Sequence, residues 1–224
     1  MGLHPAVHSH LIQFLESALE QSLEQYRARF PHITVELGSF EQHEVFIPAI
    51  AELLRREDAR GTKGMSGRNQ SVQDMGGQVA WELQTRKAVL VREHDELFGY
   101  ATLGTWETSE GRVLEFCSAV VDEQFRGLGF GRILVDAREI LSVAEYLPQG
   151  YQPMAFCNQS SARIYNLDLW KQASWEWYRR FPPPVVCKAE CQWNRQACDC
   201  VVLAMDVGRL GELAGLPRGS FEVP

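Results

Sequence analysis

The sequence predicts an α+β fold, a mixed and mostly antiparallel sheet with helices on both faces, preceded by a helical arm. Three observations carry this expectation. Apolar residues near the N-terminus recur with a helical period. From His32 onward, period-two segments and helical segments are interleaved, with several strands in succession. A strand ending at Val121 then runs through a glycine-spaced turn directly into a helix.

The arm covers residues 1–30. Val7, Leu11, Phe14, Leu15, Ala18, Leu19, Leu23 and Tyr26 fall on one helical face. The opposite face carries Glu16, Glu20 and Glu24, an acidity that argues against binding a membrane surface. His4, His8 and His10 have spacings compatible with a metal on one turn, but no second set of donors lies nearby in sequence. The main domain is expected over 31–224. His32 to Leu37 alternates like a strand, and Phe40 to Arg56 reads as helical, with Pro48 opening or kinking its second half. Residues 59–77 hold Gly61, Gly64, Gly67, Gly76 and Gly77 with no period, and read as a loop, either an insertion or a flap over substrate. Strands are expected over Lys87 to Glu93, Leu97 to Trp106 and Arg112 to Val121, the first two joined as a hairpin through His94-Asp95-Glu96. A helix from Phe130 to Glu145, a strand from Gln152 to Cys157 and a helix from Gln159 to Lys171 follow. A closing hairpin over 184–207 ends the fold.

Bulk properties exclude more than they name. In 224 residues, a hydrophobic share of 45% and a charged share of 23% set aside disordered and collagen-like chains. The net charge of −7 argues against a protein whose main work is neutralising nucleic-acid phosphates. The absence of a long apolar run, and of a basic and apolar leader in Met1 to His10, leads to the expectation of a cytoplasmic protein without a membrane partner.

Chemistry concentrates in the run from Ala119 to Leu134. A strand feeding a glycine-spaced helix start leaves backbone N–H groups without internal acceptors, and such groups bind phosphate or diphosphate. Gly127, Gly129 and Gly131 would let an anion approach closely, and Arg126 and Arg132 add positive charge. Taken alone, the glycines fit equally a tight helix start. A dinucleotide fingerprint needs a different glycine spacing, and a nucleoside-triphosphate loop needs a Gly-Lys-Ser/Thr that is absent.

Arg126-Gly127-Leu128-Gly129-Phe130-Gly131 resembles the Gln/Arg-x-x-Gly-x-Gly/Ala signature of the GNAT superfamily of acyl-CoA-dependent N-acyltransferases. A second segment, Asn158 to Tyr165, is similar to that family's Asn-x-x-Ala/Ser-x-x-x-Tyr. The resemblance is sharp from Val113 to Tyr165, topological from His32 to Trp106 and over the closing strands, and does not reach the arm. It implies a GNAT-like fold and acetyl-CoA or another acyl-CoA as co-substrate. The pantetheine arm would pair with the backbone of Ala119, Val120 and Val121. The diphosphate would rest on the amides of Gly127, Leu128, Gly129, Phe130, Gly131 and Arg132, beside Arg126. Asn158 would face the cofactor, cap the following helix, or do both. Tyr165, placed in that helix, would be the general acid, with a core aromatic as the alternative.

The general base is less defined. The glutamate that some members carry five residues before the asparagine is replaced here by Pro153. Glu115 lies on the strand before the turn, on one face with Cys117, Ala119 and Val121 if alternation is strict. It is the candidate base, directly or through water, or else a structural hydrogen-bond or ion-pair partner.

Four cysteines cluster late in the chain, Cys187, Cys191, Cys198 and Cys200. Their spacing suits reduced strand cysteines better than zinc, which stays a minor alternative, with a redox pair as a third. Between Arg163 and Arg195 stand six basic and three acidic residues, interleaved with aromatics, a composition that leaves nucleic acid a minor acceptor class. The preferred acceptor is a small-molecule or peptide amine. A non-catalytic CoA-binding or protein-interaction module and an enzyme acting on nucleic acid are the alternatives. Homodimerisation through the arm or the cysteine hairpin is left open.

Overall fold

The computed structural model describes residues 4–38, 40–59, 72–109, 111–173 and 200–217. The elements are helix α1 (Pro5–Arg27), strand β1 (Ile33–Gly38), α2 (Phe40–His43), α3 (Ile47–Ala59), α4 (Val72–Thr85), β2 (Lys87–Glu93), β3 (Glu96–Thr108), β4 (Gly111–Val121), α5 (Phe130–Leu141), β5 (Tyr151–Asn158), α6 (Gln159–Ala162), β6 (Trp170–Gln172), β7 (Cys200–Met205) and α7 (Val207–Leu213). Seven strands form one sheet in the order β1-β2-β3-β4-β5-β7-β6. β1 with β2, β2 with β3, β5 with β7 and β6 with β7 pair antiparallel, and β4 with β5 pairs parallel. The expected mixed, mostly antiparallel sheet with helices and an N-terminal helix is therefore present. No helix among the described residues is long and apolar enough to cross a membrane.

The chain forms two compact units, one of residues 19–104 and 118–138, the other of residues 1–18, 105–117 and 139–224. In the first, Ile50, Leu53 and Leu54 of α3 and Met75, Val79 and Leu83 of α4 pack with Leu90, Tyr100 and Val120 of the sheet. On the α5 side of that unit, Phe30, Phe98, Phe125 and Phe130 form an aromatic knot, with ring centroids 4.0 Å apart for Phe98 and Phe125 and 5.2 Å for Phe98 and Phe130. In the second unit, Val113, Met154 and Val202 form a core flanked by Trp106 and Phe156.

Sequence boundaries hold where the period is strong and shift where it is not. Residues 72–77 are not loop, because α4 begins at Val72 and takes in Gly76 and Gly77; the buried Met75, Val79 and Leu83 give it a helical face that outweighs two glycines. The rest of the glycine-rich stretch, 60–71, lies outside the described residues. α5 ends at Leu141 and continues as a π-helical turn, Ser142–Tyr146. The helix expected to run to Lys171 stops at Ala162, and farther on Asn166 makes a separate turn: its Oδ1 accepts from the Asp168 amide at 3.0 Å, and its carbonyl accepts from Leu169 and Trp170. Trp170–Gln172 is then a strand. The last strand ends at Met205, and Asp206 caps α7 by accepting from the Arg209 amide at 2.9 Å. The first strand of the expected closing hairpin lies outside the described residues.

Candidate active site

The candidate phosphate-binding turn is built at the end of β4, within the unit of residues 19–104 and 118–138. Of the residues expected to share one face of β4, Cys117 is buried and Glu115 and Val121 are half-buried; between Cys117 and Ala119 the extended backbone is interrupted at Ser118, whose φ of 28° is in the positive region. Beyond it Val120 is buried and Ala119 exposed. Asp122 closes the strand: its amide donates to the Phe98 carbonyl at 2.9 Å, and its carboxylate accepts from the Gln124 amide at 3.2 Å and pairs with Arg56 at 2.9 Å. Composition and spacing gave no sign of this buried cap, although an Asp two residues before a turn is a common capping position.

Glu123–Phe125 forms one 3-10 turn, and the chain passes through Gly127 and Gly129 at φ of 74° and 95° before α5 begins at Phe130. The amides of Gly127, Leu128, Gly129, Phe130 and Gly131 donate to no acceptor among the described residues, whereas those of Arg132 and Ile133 both reach the Gly129 carbonyl. Five successive free donors at a helix start suit an anion of the size of a diphosphate. A Cβ on Gly129 would stand 2.2 Å from the Tyr26 hydroxyl, while one on Gly127 would meet nothing within 4 Å. Tyr26 comes from α1 and packs on Phe130 with ring centroids 5.1 Å apart. Burial, and secondarily the charge of Asp136, push its phenol pKa up, so it stays protonated.

The two arginines differ from the simple expectation of added charge. Arg126 folds back so that its Nε donates to the Val121 carbonyl at 3.2 Å. Arg132 forms an ion pair with Asp136 at 2.6 Å. Burial pushes the Asp136 carboxyl up and the Arg132 charge opposes it.

The remaining candidate residues, Glu115, Asn158 and Tyr165, lie in the other unit. The parallel register of β4 and β5 runs from Arg112↔Tyr151 to Phe116↔Ala155 and ends there, although β5 continues to Asn158, the residue directly before α6. Glu115 accepts a hydrogen bond from Trp106 Nε1 at 2.6 Å. Tyr165 is not within a helix; it sits in the turn after α6, its amide 3.2 Å from the Ala162 carbonyl. Its buried ring stands edge-on to Trp170, centroids 4.9 Å apart, and 6.3 Å from Phe116. Trp170 in turn donates from Nε1 to the buried Glu139 carboxylate at 2.7 Å.

Cys187, Cys191 and Cys198 lie outside the described residues, and Cys200 is described as the first residue of β7. No group of three metal-type side chains occurs among the described residues. Of the N-terminal histidines, His8 and His10 bond through Nε2 to the carbonyls of Val143 and Ala214 at 2.9 and 2.7 Å.

A strand running through five free amides into a helix, on a mixed sheet, is a setting for an anion at a helix start, and the sequence comparisons give the class of protein it belongs to. Residues 49–167, more than half of the chain, match the profile of the acetyltransferase (GNAT) family. The protein belongs to that family. Solved structures share the fold at low identity. The protein yncA from Salmonella typhimurium, solved with its cofactor acetyl-CoA, is 16% identical with a TM-score of 0.50, over 78% of this chain and 92% of its own. A ribosomal-protein-alanine N-acetyltransferase from Brucella melitensis is 14% identical with a TM-score of 0.52, over 77% and 97%. An N-acetyltransferase from Staphylococcus aureus Mu50 is 13% identical with a TM-score of 0.52, over 77% and 96%. No curated protein matches the chain in sequence.

Proposed function

We propose that the protein moves an acetyl or other short acyl group from acyl-CoA to the amine of a small molecule or peptide, by direct attack of that amine on the thioester. The observation that carries this reading is the run of five amides without acceptors, Gly127 to Gly131, within the family-matched segment. Acyl-CoA supplies the activated carbonyl. The loop amides of Gly127 to Gly131 hold the diphosphate, with the Arg126 guanidinium at their edge; the Arg132 amide, expected from the sequence to join them, is spent on the Gly129 carbonyl. The backbone of Ala119, Val120 and Val121 lines the pantetheine, and Asn158, which opens the second family-like motif, is the candidate polar partner of the cofactor. Glu115, oriented by Trp106, takes the proton released as the amine nitrogen bonds to the acyl carbon. Tyr165 gives a proton to the sulfur as the C–S bond breaks.

A second reading, a CoA-binding module that transfers nothing, is favoured by Pro153 in place of a family glutamate and by the Trp106 bond to Glu115. Acetyl-CoA is expected to raise the melting temperature by mass action under both readings, and only the first releases CoA thiol in a screen of amines and peptides. Under the first, Tyr165→Phe keeps the thermal shift and slows turnover by about 10²-fold, the scale of one lost proton-transfer group. Full activity in that variant removes Tyr165 from the acid role.

A further inference from the structure

Glu82 is a buried carboxylate that the proposed chemistry does not use. It lies on α4 with 4% of its surface exposed, in a helix face otherwise made of Met75, Val79 and Leu83. A carboxylate in such a place is costly unless its oxygens are fully used. They are: Oε2 accepts from the Tyr100 hydroxyl of β3 at 3.1 Å, and Oε1 accepts from the Ser118 hydroxyl of β4 at 3.2 Å and from Arg86 at 3.4 Å. Ser118 donates to no other side-chain or loop acceptor among the described residues.

Ser118 is also the residue at which β4 departs from strand geometry. Only two non-glycine residues among those described have positive φ; His94, at 50°, is in the hairpin turn between β2 and β3, whereas Ser118, at 28°, is inside a strand. Such a conformation is disfavoured for a residue with a side chain and persists where surrounding contacts over-determine it. It interrupts the extended backbone of β4 immediately before Ala119, Val120 and Val121.

We propose that Glu82 is a positioning residue for the acyl donor: by fixing the Ser118 hydroxyl it holds the positive-φ break in β4 and so presents the backbone of Ala119 to Val121. This rests on the acyl-CoA reading above for the identity of the ligand, but not for the coupling between Glu82 and Ser118. A carboxylate is suited to the task because it accepts from three donors at once, whereas an amide offers one oxygen and sets its own N–H groups against the others.

The test is a double-mutant cycle on the full chain with Glu82→Gln, Ser118→Gly and the double variant, read by calorimetric CoA affinity, by KM for acetyl-CoA against kcat, and by denaturant unfolding. Glycine adopts positive φ without a side-chain penalty, so Ser118→Gly removes the need for the clamp. With Ser118 present, Glu82→Gln is expected to weaken CoA binding about tenfold, mainly through KM, the scale of one strained residue released. In the Ser118→Gly background, the same change is expected to cost no more than about threefold, because the backbone break no longer depends on the clamp. Equal losses in both backgrounds, or no loss with Ser118 present, overturn the proposal. A loss confined to kcat with a displaced pH profile also overturns it, since that marks Glu82 as acting on the reactants directly. If the wild-type chain binds no CoA, the functional reading fails, and the unfolding cycle still tests the clamp, additivity there being the contrary result. Should Glu82→Gln fail to fold, Ser118→Ala removes the same hydrogen bond from the other side and is expected to weaken binding to the same extent.

Discussion

Replacing Gly129 by alanine tests whether the loop geometry is as tight as the structure draws it. The backbone there has a φ of 95°, and the new Cβ would stand 2.2 Å from the Tyr26 hydroxyl oxygen and 3.4 Å from the ring carbon that bears it. Two costs add: about 1–3 kcal/mol for an L side chain in that backbone region, and about 1–3 kcal/mol for forcing Tyr26 off its packing on Phe130. Gly127 separates them, because its φ of 74° imposes strain while a Cβ there meets nothing within 4 Å. In urea denaturation, Gly127→Ala is therefore expected to cost about 1–3 kcal/mol and Gly129→Ala about 2–6 kcal/mol. In a Tyr26→Phe background the hydroxyl is gone and the remaining 3.4 Å contact is ordinary, so the Gly129→Ala cost is expected to fall by about 1–2 kcal/mol. Equal costs at the two glycines, or no relief from Tyr26→Phe, would refute the reasoning.

Three further outcomes follow from the structure. His43 is buried with neither ring nitrogen partnered among the described residues, and burial holds its pKa below the ordinary 6.5, with Glu36 opposing and Arg92 reinforcing the shift. The unfolded chain then binds a proton that the native state excludes, so stability is complete above 6.5 and falls as pH drops below it; His43→Leu is expected to flatten that part of the unfolding profile. Trp170→Phe keeps the edge-on contact with Tyr165 but deletes the donor to the buried Glu139 carboxylate, and is expected to lower stability by about 1–3 kcal/mol in chemical denaturation. Asp136, whose carboxyl is raised by burial, acts in the opposite sense to His43: stability falls as pH climbs from 3.8 toward the native value, and Asp136→Asn is expected to remove that slope.

The parts of the fold legible in sequence are those written in local periodicity. α1 shows its buried Leu11, Leu15, Leu19 and Leu23 at helical spacing, and β2 begins and ends at Lys87 and Glu93, the polar residues that flank its apolar run Ala88 to Val91. The strand, glycine turn and helix from Gly111 to Leu141 were equally plain, since positive φ at Gly127 and Gly129 needs the residue type that stands there. What sequence hid was set by distant partners. Ser118 takes a positive φ inside β4 and its hydroxyl reaches a carboxylate 36 positions earlier, a partner that local alternation does not reveal. α4 was obscured because Gly76 and Gly77 resemble a loop until Met75, Val79 and Leu83 are seen to share a buried face. Tyr165 was assigned to a helix because nothing in its spacing from Asn158 reveals that α6 stops at Ala162.

The central claim is that the Gly127 to Gly131 amides bind an acyl donor whose acyl group is then transferred. The most direct measurement is CoA thiol released from acetyl-CoA in the presence of an amine and peptide panel, run in parallel on the wild-type chain and on Gly129→Val. The account predicts amine-dependent release by the wild type, and neither release nor an acetyl-CoA thermal shift in the variant, provided the variant's circular dichroism shows it folded. A folded Gly129→Val that binds acetyl-CoA as the wild type does would contradict it.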